Sequence, residues 1–141
     1  MPSPAPAPGQ GRIGTRASRF NLEAQWLKAG PDLLVLVTGG DSPHIGAVAA
    51  ATPRPSLADP GRASATASVL CYLGHKEDEL AKALAEFLAA GLGVRVVVAA
   101  GAHWDGLEPA HIQTVRQNAV ALGQMLLAAL AQPTAPDGPG R

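Results

Sequence analysis

Hydrophobic and polar residues alternate from residue 18 onward, a pattern typical of a half-buried strand. The apolar members of this alternation are Phe20, Leu22, Ala24 and Trp26. After turn-forming residues at 28–32, the run from Leu33 to Val37 is continuously apolar, as expected for a strand in the middle of a sheet. The two segments together predict a hairpin.

Two more strands are predicted before the pattern changes. The first extends from Ile45 to just before Pro53, and the second covers residues 64–73. The proline-rich residues 53–62 between them predict a mobile surface loop. Cys71 lies in the second apolar segment, so we expect it in the core. Because it is the single cysteine, no disulfide can form within the chain, which fits a reducing compartment.

Helical spacing begins after residue 76. In residues 77–93 the apolar positions recur every three or four residues, at Leu80, Leu84, Phe87 and Leu88. The acids at 77–79 suit the first turn of a helix, and Gly91 and Gly93 predict its end. The valine-rich residues 94–101 that follow predict a buried strand.

A long C-terminal helix is predicted from Pro109 to Ala131. Its apolar positions are Ile112, Val115, Ala119, Leu122, Leu126 and Ala129. The order ββββαβα predicts a single α+β domain with two helices and a mixed sheet of about five strands. The strand–helix–strand passage favours a parallel orientation of the fourth and fifth strands. We expect the long helix to lie across the sheet, with a heptad seam for a dimer as the alternative.

Both ends of the chain differ in composition from its middle. Residues 1–17 and 132–141 are rich in proline, alanine and glycine, so we expect two disordered tails around a domain of residues 18–131. The N-terminus lacks the apolar stretch of a signal peptide, and no apolar run is long enough to span a membrane. We therefore expect a cytoplasmic protein.

The charge balance narrows the class of partner. Eleven basic and eleven acidic residues cancel, and no basic stripe with interleaved aromatic residues is present. Nucleic acid and anionic membranes are therefore not expected partners. Only 16% of the residues are charged and 47% are hydrophobic, which favours an oligomer that covers apolar surface. We expect a homodimer.

Three short loops contain most of the unusual polar residues. They are residues 39–46 (GGDSPHIG), 74–78 (GHKED) and 100–106 (AGAHWDG). Each loop follows the end of an apolar strand, where binding groups tend to lie. If these strand ends share one edge of the sheet, the loops bring together Asp41, His44, His75, Lys76, His103 and Asp105.

The residue types in these loops suit binding better than catalysis. The histidines lack the fixed arrangement of a zinc site, and Ser42 has no adjacent base, so a metal site and a serine nucleophile are weak hypotheses. A large anionic aromatic ligand fits better. Gly39 and Gly40 allow close approach of the backbone to such a ligand, and His75 and Lys76 precede a helix whose N-terminus can bind phosphate.

Alternatives stay open for two of these residues. The acids at 77–79 already satisfy the helix dipole, so a solvated residue near the helix start is the alternative for Lys76. Trp104 offers a face for stacking on a ring, and a plug beneath its loop is the alternative.

The three loops and the long C-terminal helix resemble the LpdD-like prenylated-flavin chaperones, which are small accessory proteins of UbiD-type decarboxylases such as the gallate decarboxylase system. The resemblance covers most of residues 20–131 and depends on the segments GGDSPHIGAVA, GHKEDELA and VVVAAGAHWDGL. The matching positions are Gly39, Gly40, Pro43, His44 and Gly46, then His75, Lys76 and Asp78, then Gly101, His103 and Asp105.

The resemblance implies a protein without catalytic activity that binds prenylated FMN, or FMN itself, for a UbiD-type decarboxylase. The cofactor-binding residues expected on these loops are Gly39, Gly40, Asp41, Pro43, His44, Gly46, His75, Lys76, Gly101, His103, Trp104 and Asp105. Two other hypotheses remain. One is a small lyase or hydrolase using Asp41, His44 and His103, with or without a metal. The other is a docking module whose terminal helix binds a client protein through Leu122 and Leu126.

Overall fold

The computed structural model describes residues 9–72 and 77–131, which form six strands and two helices. The elements in chain order are β1 (Gln10–Gly14), β2 (Leu22–Ala29), β3 (Asp32–Gly40), β4 (Ala47–Pro55), β5 (Ala63–Cys71), α1 (Asp78–Leu92), β6 (Val96–His103) and α2 (Pro109–Leu130). The predicted α+β domain is confirmed. Residues 1–8 and 132–141 of the predicted tails, and the candidate site residues His75 and Lys76, lie outside the described residues.

All six strands belong to one sheet, in the order β1-β2-β3-β6-β4-β5. β3 and β6 pair in parallel, and every other pair of neighbours is antiparallel, so the sheet is mixed as predicted. The two strands that flank α1 point in the same direction, because both are antiparallel to β4. They are not neighbours, since β4 lies between them.

Strand β1 corrects the predicted N-terminal tail. Residues Gln10–Gly14 pair antiparallel with β2, from Gln10 opposite Leu27 to Gly14 opposite Glu23. Hydrophobic patterning misses this strand because Ile13 is its only large apolar side chain. The pairing depends on backbone hydrogen bonds and on Gly11, where a Cβ would lie 2.5 Å from the ring of Trp26.

The core lies on one face of the sheet, beneath both helices. Helix α1 buries Ala81, Leu84, Ala85, Leu88 and Ala89 against β4, β5 and β6. The strand residues that face it in β4 are Ala47, Ala49 and Ala51, all buried. Because alanine lies on both the helix and the strand at this contact, the helix backbone can approach the sheet closely and still be packed as densely as a protein interior. Gly93 ends α1 in the left-handed conformation, with φ +66°.

Helix α2 packs on α1 and on the β1–β2 side of the sheet. It starts with a capping box between Glu108 and His111 and with Pro109 in its first turn. Leu122 and Leu126 are fully buried within this chain, so the prediction that α2 packs on its own sheet is confirmed. In the described ranges, no helix is long and apolar enough to cross a membrane.

The prediction of a core position for Cys71 is wrong, because the residue is exposed. Among the described residues, strand β5 is an edge strand that pairs with β4 alone, and Cys71 is its last residue, opposite Ala47. Its neighbours Leu70 and Tyr72 are also exposed. An apolar run on an edge strand is therefore a poor guide to burial.

The packing of α2 predicts that alanine substitution lowers the free energy of unfolding much more at Leu122 than at Val120. We expect Leu122→Ala to lower the free energy of unfolding by about 2–5 kcal/mol, because it opens a cavity in the core. Val120→Ala, at a position that is 62% exposed, should change it by less than about 0.5 kcal/mol. Urea unfolding at equal protein concentration measures both. Equal losses would contradict the packing of this helix.

Candidate functional site

The predicted polar loops meet at one edge of the sheet. β3 and β6 are parallel and end together, with Gly40 opposite His103. β4 starts and β5 ends at this same edge, with Ala47 opposite Cys71. Loop 41–46 and the end of β6 are therefore neighbours, and the start of α1 lies beside them. The predicted convergence is confirmed for the described residues.

Strand order explains why these loops touch. β6 is inserted between β3 and β4, so loop 41–46 has to cross the end of β6 to connect its two strands. The backbone N–H of Asp41 donates to the carbonyl oxygen of His103 at 2.7 Å, and that of Gly46 donates to Ala100 at 2.9 Å. The Asp41 carboxylate accepts the backbone N–H of Asp105 at 3.0 Å. Asp41 thus joins the two loops.

The glycines of the site permit this crossing, because another backbone or side chain passes close to each of them. A Cβ on Gly40, which has φ +84°, would meet the backbone carbonyl of His103. A Cβ on Gly101 would meet the backbone carbonyl of His44. A Cβ on Gly46 would meet the carboxylate of Glu77. The absence of side chains at these positions therefore allows the loops to pack on one another.

Gly39 is enclosed in the same way. A Cβ at this position would lie 2.9 Å from the backbone oxygen of Asn21 and 3.3 Å from the ring of Trp104. Trp104 itself is buried, and its ring meets Phe20 edge to face at 5.6 Å between centroids. This packing supports the interpretation of Trp104 as a plug beneath its loop. The buried ring forms part of the floor of the site.

His44 is the candidate residue that is held most firmly in the site. Its Nε2 lies 2.8 Å from Oε1 of Glu77, and its Nδ1 lies 2.9 Å from the backbone oxygen of Ser42. A carbonyl oxygen only accepts, so Nδ1 is the donor to Ser42. Two partners on opposite sides of the ring fix its orientation.

Glu77 is a site residue that sequence reasoning missed. The sequence places it in the acidic start of a helix, where its charge is explained by the helix dipole. The structure shows its largely buried carboxylate paired with His44, which lies 33 residues away. Strand order decides that contact, and hydrophobic periodicity contains no information on strand order.

The remaining candidates lie at the exposed rim. His103 and Asp105 are both exposed, and Nε2 of His103 lies 3.1 Å from Oδ1 of Asp105. Pro43 is also exposed on the crossing loop. In the described ranges, no group of three or more histidine, cysteine, aspartate or glutamate residues is arranged to hold a metal ion.

A groove of about 1390 Å³ opens from these loops along the surface between α1 and α2. The loops and the starts of the helices contribute the polar part of its lining, which consists of Ser42, Pro43, His44, Glu77, Asp78, Glu79, His103 and Arg116. The apolar part of its lining consists of Leu80, Leu84, Phe87, Leu107, Ile112, Val115, Ala119 and Val120. Sequence reasoning identified the polar lining only, because the apolar side chains form a common surface only when α1 and α2 lie side by side.

The charges around the groove are mostly acidic. Arg116 extends from α2 toward Glu79 of α1, with 3.6 Å between Nη2 and Oε2. Both side chains are largely exposed, so the pair contributes at most about 1 kcal/mol. Arg19 lies near the same loops, where its Nη2 donates to the backbone oxygen of Asp105 at 3.4 Å. Arg116 is therefore the cation among the described residues that line the groove.

Comparisons with known proteins support one family. The family model described as a prenylated flavin chaperone LpdD-like domain matches residues 16–131. No curated protein matches the chain. A chain from the "Crystal Structure of a Novel Chaperone Complex for Yeast 20S Proteasome Assembly" is similar in fold, with a TM-score of 0.45 and 12% identity over 84% of this chain and 98% of that one. A likeness at this level carries no argument about function.

The loop crossing makes Gly101 sensitive to a single methyl group. We expect Gly101→Ala to lower the free energy of unfolding by about 1–3 kcal/mol, because its Cβ meets the backbone of His44. The control is Gly61→Ala, where a Cβ lies 3.5 Å from Asp59 in ordinary contact. That variant should change stability by less than about 0.5 kcal/mol. Urea unfolding compares the two, and a tolerated alanine at Gly101 would contradict the crossing.

Proposed function

Because this chain belongs to the prenylated flavin chaperone LpdD-like family, we propose that it binds prenylated FMN in the groove and carries the cofactor to a UbiD-type decarboxylase. It performs no chemistry of its own in this proposal. We also propose that it acts as a homodimer in the cytoplasm. The observation that carries the proposal is a groove with an apolar body and a polar mouth, placed where the family's motifs converge.

The body of the groove suits a flat aromatic ring system. Ligand pockets for small molecules and cofactors usually enclose roughly 300–1,000 Å³ and have mostly apolar walls. This groove has about 1390 Å³, enough for a flavin with an additional ring and its ribityl phosphate. Phe87, Leu107 and Ile112 stand at its walls and are partly exposed. Burial of these side chains against the ring system would favour binding.

The mouth of the groove supplies polar contacts for the rest of the ligand. The imidazole of His103 and the hydroxyl of Ser42 line it, and each can hydrogen-bond to carbonyl, ribityl or phosphate oxygens, whereas the imidazole of His44, held by Ser42 and Glu77, offers its ring face. A phosphate can pair with Arg116 if Glu79 gives up its contact with that guanidinium. The contact is exposed, so its loss costs little. We propose that His75 and Lys76, which precede α1 in the sequence, also contribute polar contacts to the ligand.

The openness of the groove suits a carrier. A carrier has to shield a reactive ring and then release it, so it needs a broad apolar contact without a covalent link. The groove runs along the surface between two helices and does not close over its contents. The pair His44–Glu77 would then hold the imidazole of His44 in a fixed position at the mouth. A catalytic role for Asp41 is not favoured, because its carboxylate holds the Asp105 backbone.

The same groove favours a second candidate function, the binding of an amphipathic helix from a client protein. Such helices place an apolar face into a hydrophobic groove, and Phe87, Ile112 and Val120 are exposed along it. The docking hypothesis based on Leu122 and Leu126 needs a correction, because both side chains are buried inside the domain. A client would meet the groove residues instead.

A charge in the apolar body tests the flavin site. We expect Ile112→Asp to weaken the binding of prenylated FMN at least tenfold, about 1.4 kcal/mol, because the ring system would desolvate a carboxylate. The control is Leu57→Asp, on the loop between β4 and β5 at a position that is 89% exposed. Quenching or shift of the flavin spectrum during titration measures both affinities. Equal affinity in the two variants would place the ligand elsewhere.

A transfer experiment tests the carrier role separately. Protein loaded with prenylated FMN is mixed with an apo-decarboxylase of the UbiD type, and the two are separated by size. The expected result is movement of the flavin band to the decarboxylase together with a gain of decarboxylase activity. Retention of the flavin by this protein would contradict delivery while leaving the binding site intact.

A further inference from the structure

One face of the sheet is not covered by either helix. The covered face carries the buried positions of each strand, such as Val35, Val98 and Ala49. The alternate positions point the other way, and among the described residues no helix packs on them. We call this surface the open face. Its apolar members are Leu27, Leu34, Leu36, Val48, Leu70, Val97 and Ala99.

The open face is apolar near the centre of the sheet and polar toward its outer sides. The register aligns Leu36, Ala99, Val48 and Leu70 in one row across four strands. At the β1–β2 side, Arg12 and Glu23 form an ion pair at 3.2 Å. At the β4–β5 side, Arg54 donates to the hydroxyl of Thr66 at 2.6 Å. An apolar centre with a polar rim is the usual anatomy of a protein interface.

The parallel pair at the centre makes exposure of this face unusual. The strands of all-parallel sheets are covered on both faces, and their sequences are accordingly apolar throughout. Leu33 to Val37 and Val96 to Ala100 have this character. Yet Leu34 of β3 is 43% exposed, and Val97 and Ala99 of β6 are only half-buried. The composition of both strands therefore suits a sheet that is covered on both sides.

We infer that the open face is the surface through which two copies of this chain associate, sheet on sheet. Two sheets stack face to face at about 10 Å with interdigitating apolar side chains. Six strands about 4.8 Å apart and on average about 27 Å long present roughly 750 Å², close to the area of about 800 Å² that each partner buries in a stable interface.

A second copy suits this face better than a different partner. A twofold axis through the sheet centre places the apolar row of one copy on that of the other. Of the rim charges named above, Arg12 and Glu23 compensate each other within the chain, and Arg54 donates to the neutral hydroxyl of Thr66, so stacking two identical faces brings few uncompensated charges together. The inference specifies the interface of the proposed homodimer and does not depend on the ligand of the groove.

This arrangement leaves the candidate site accessible. The helices and the groove lie on the covered side of each sheet, so in the dimer they face outward. Two grooves would open on opposite sides of the assembly. Each copy can then bind its ligand without contact from the other.

A charge on the open face tests the interface. We expect wild-type protein to sediment as a dimer of the 14.3 kDa chain at micromolar concentration, and Leu34→Glu to sediment as a monomer. Leu34 is partly exposed in the single chain, so glutamate is tolerated there but would be desolvated in the dimer. Leu57→Glu, a matched change on an exposed loop, should remain a dimer. Far-UV circular dichroism checks that each variant is folded.

The outcomes separate this inference from the groove proposal. A monomeric wild-type protein, or a dimeric Leu34→Glu, would overturn the inference. If Leu34→Glu does not fold, Leu70→Glu at the outer strand replaces it, with the same expected result. Titration of each variant with prenylated FMN gives an independent readout. If Leu34→Glu is monomeric and binds the flavin like the wild type, the result supports both the sheet-on-sheet interface and the flavin site in the groove. If the wild-type protein is a dimer but binds no flavin, the result contradicts only the flavin site.

Discussion

The parallel pairing of β3 with β6 is the contact on which the rest of this structure depends. It inserts a strand from the second half of the chain between two strands that are consecutive in sequence, β3 and β4. Loop 41–46 must then pass across the end of β6. This crossing brings His44 against Gly101, places Asp41 where it holds the Asp105 backbone, and sets the start of α1 beside both.

Two consequences follow from this insertion. The loops can cross only if side chains are absent where backbones meet, which explains the glycines at 40, 46 and 101 as packing residues. The inserted strand also makes the middle of the sheet apolar on both faces. One face is covered by α1 and α2, whose separation forms the groove, and the other carries the apolar row that we assign to a second copy. Site and interface thus have a common origin in one strand pairing.

Local pattern predicted the elements well where a single face of each element is buried. Alternation around Leu22 and helical spacing around Leu84 follow directly from burial on one side. Helix α1 agrees with the predicted helix to within one residue at each end, whereas β2 begins at Leu22 and the predicted strand begins at residue 18. The hydrophobic pattern does not predict β1, because this edge strand contains only one large apolar residue, Ile13. Its pairing with β2 depends on backbone hydrogen bonds. The pattern also misplaced Cys71, because β5 is exposed at its end although its sequence is apolar.

The site was predictable only in part for a related reason. Loop composition predicts that His44 and His103 lie close together, since both follow the ends of apolar strands. The pairing of His44 with Glu77 and the apolar body of the groove depend on strand order and on the contact between helices, which no local pattern encodes. The most direct test of the central claim is the absorption spectrum of wild-type protein purified from cells that co-express a flavin prenyltransferase. A flavin band that co-elutes in near-stoichiometric amount is the predicted result, and a colourless protein would contradict the account.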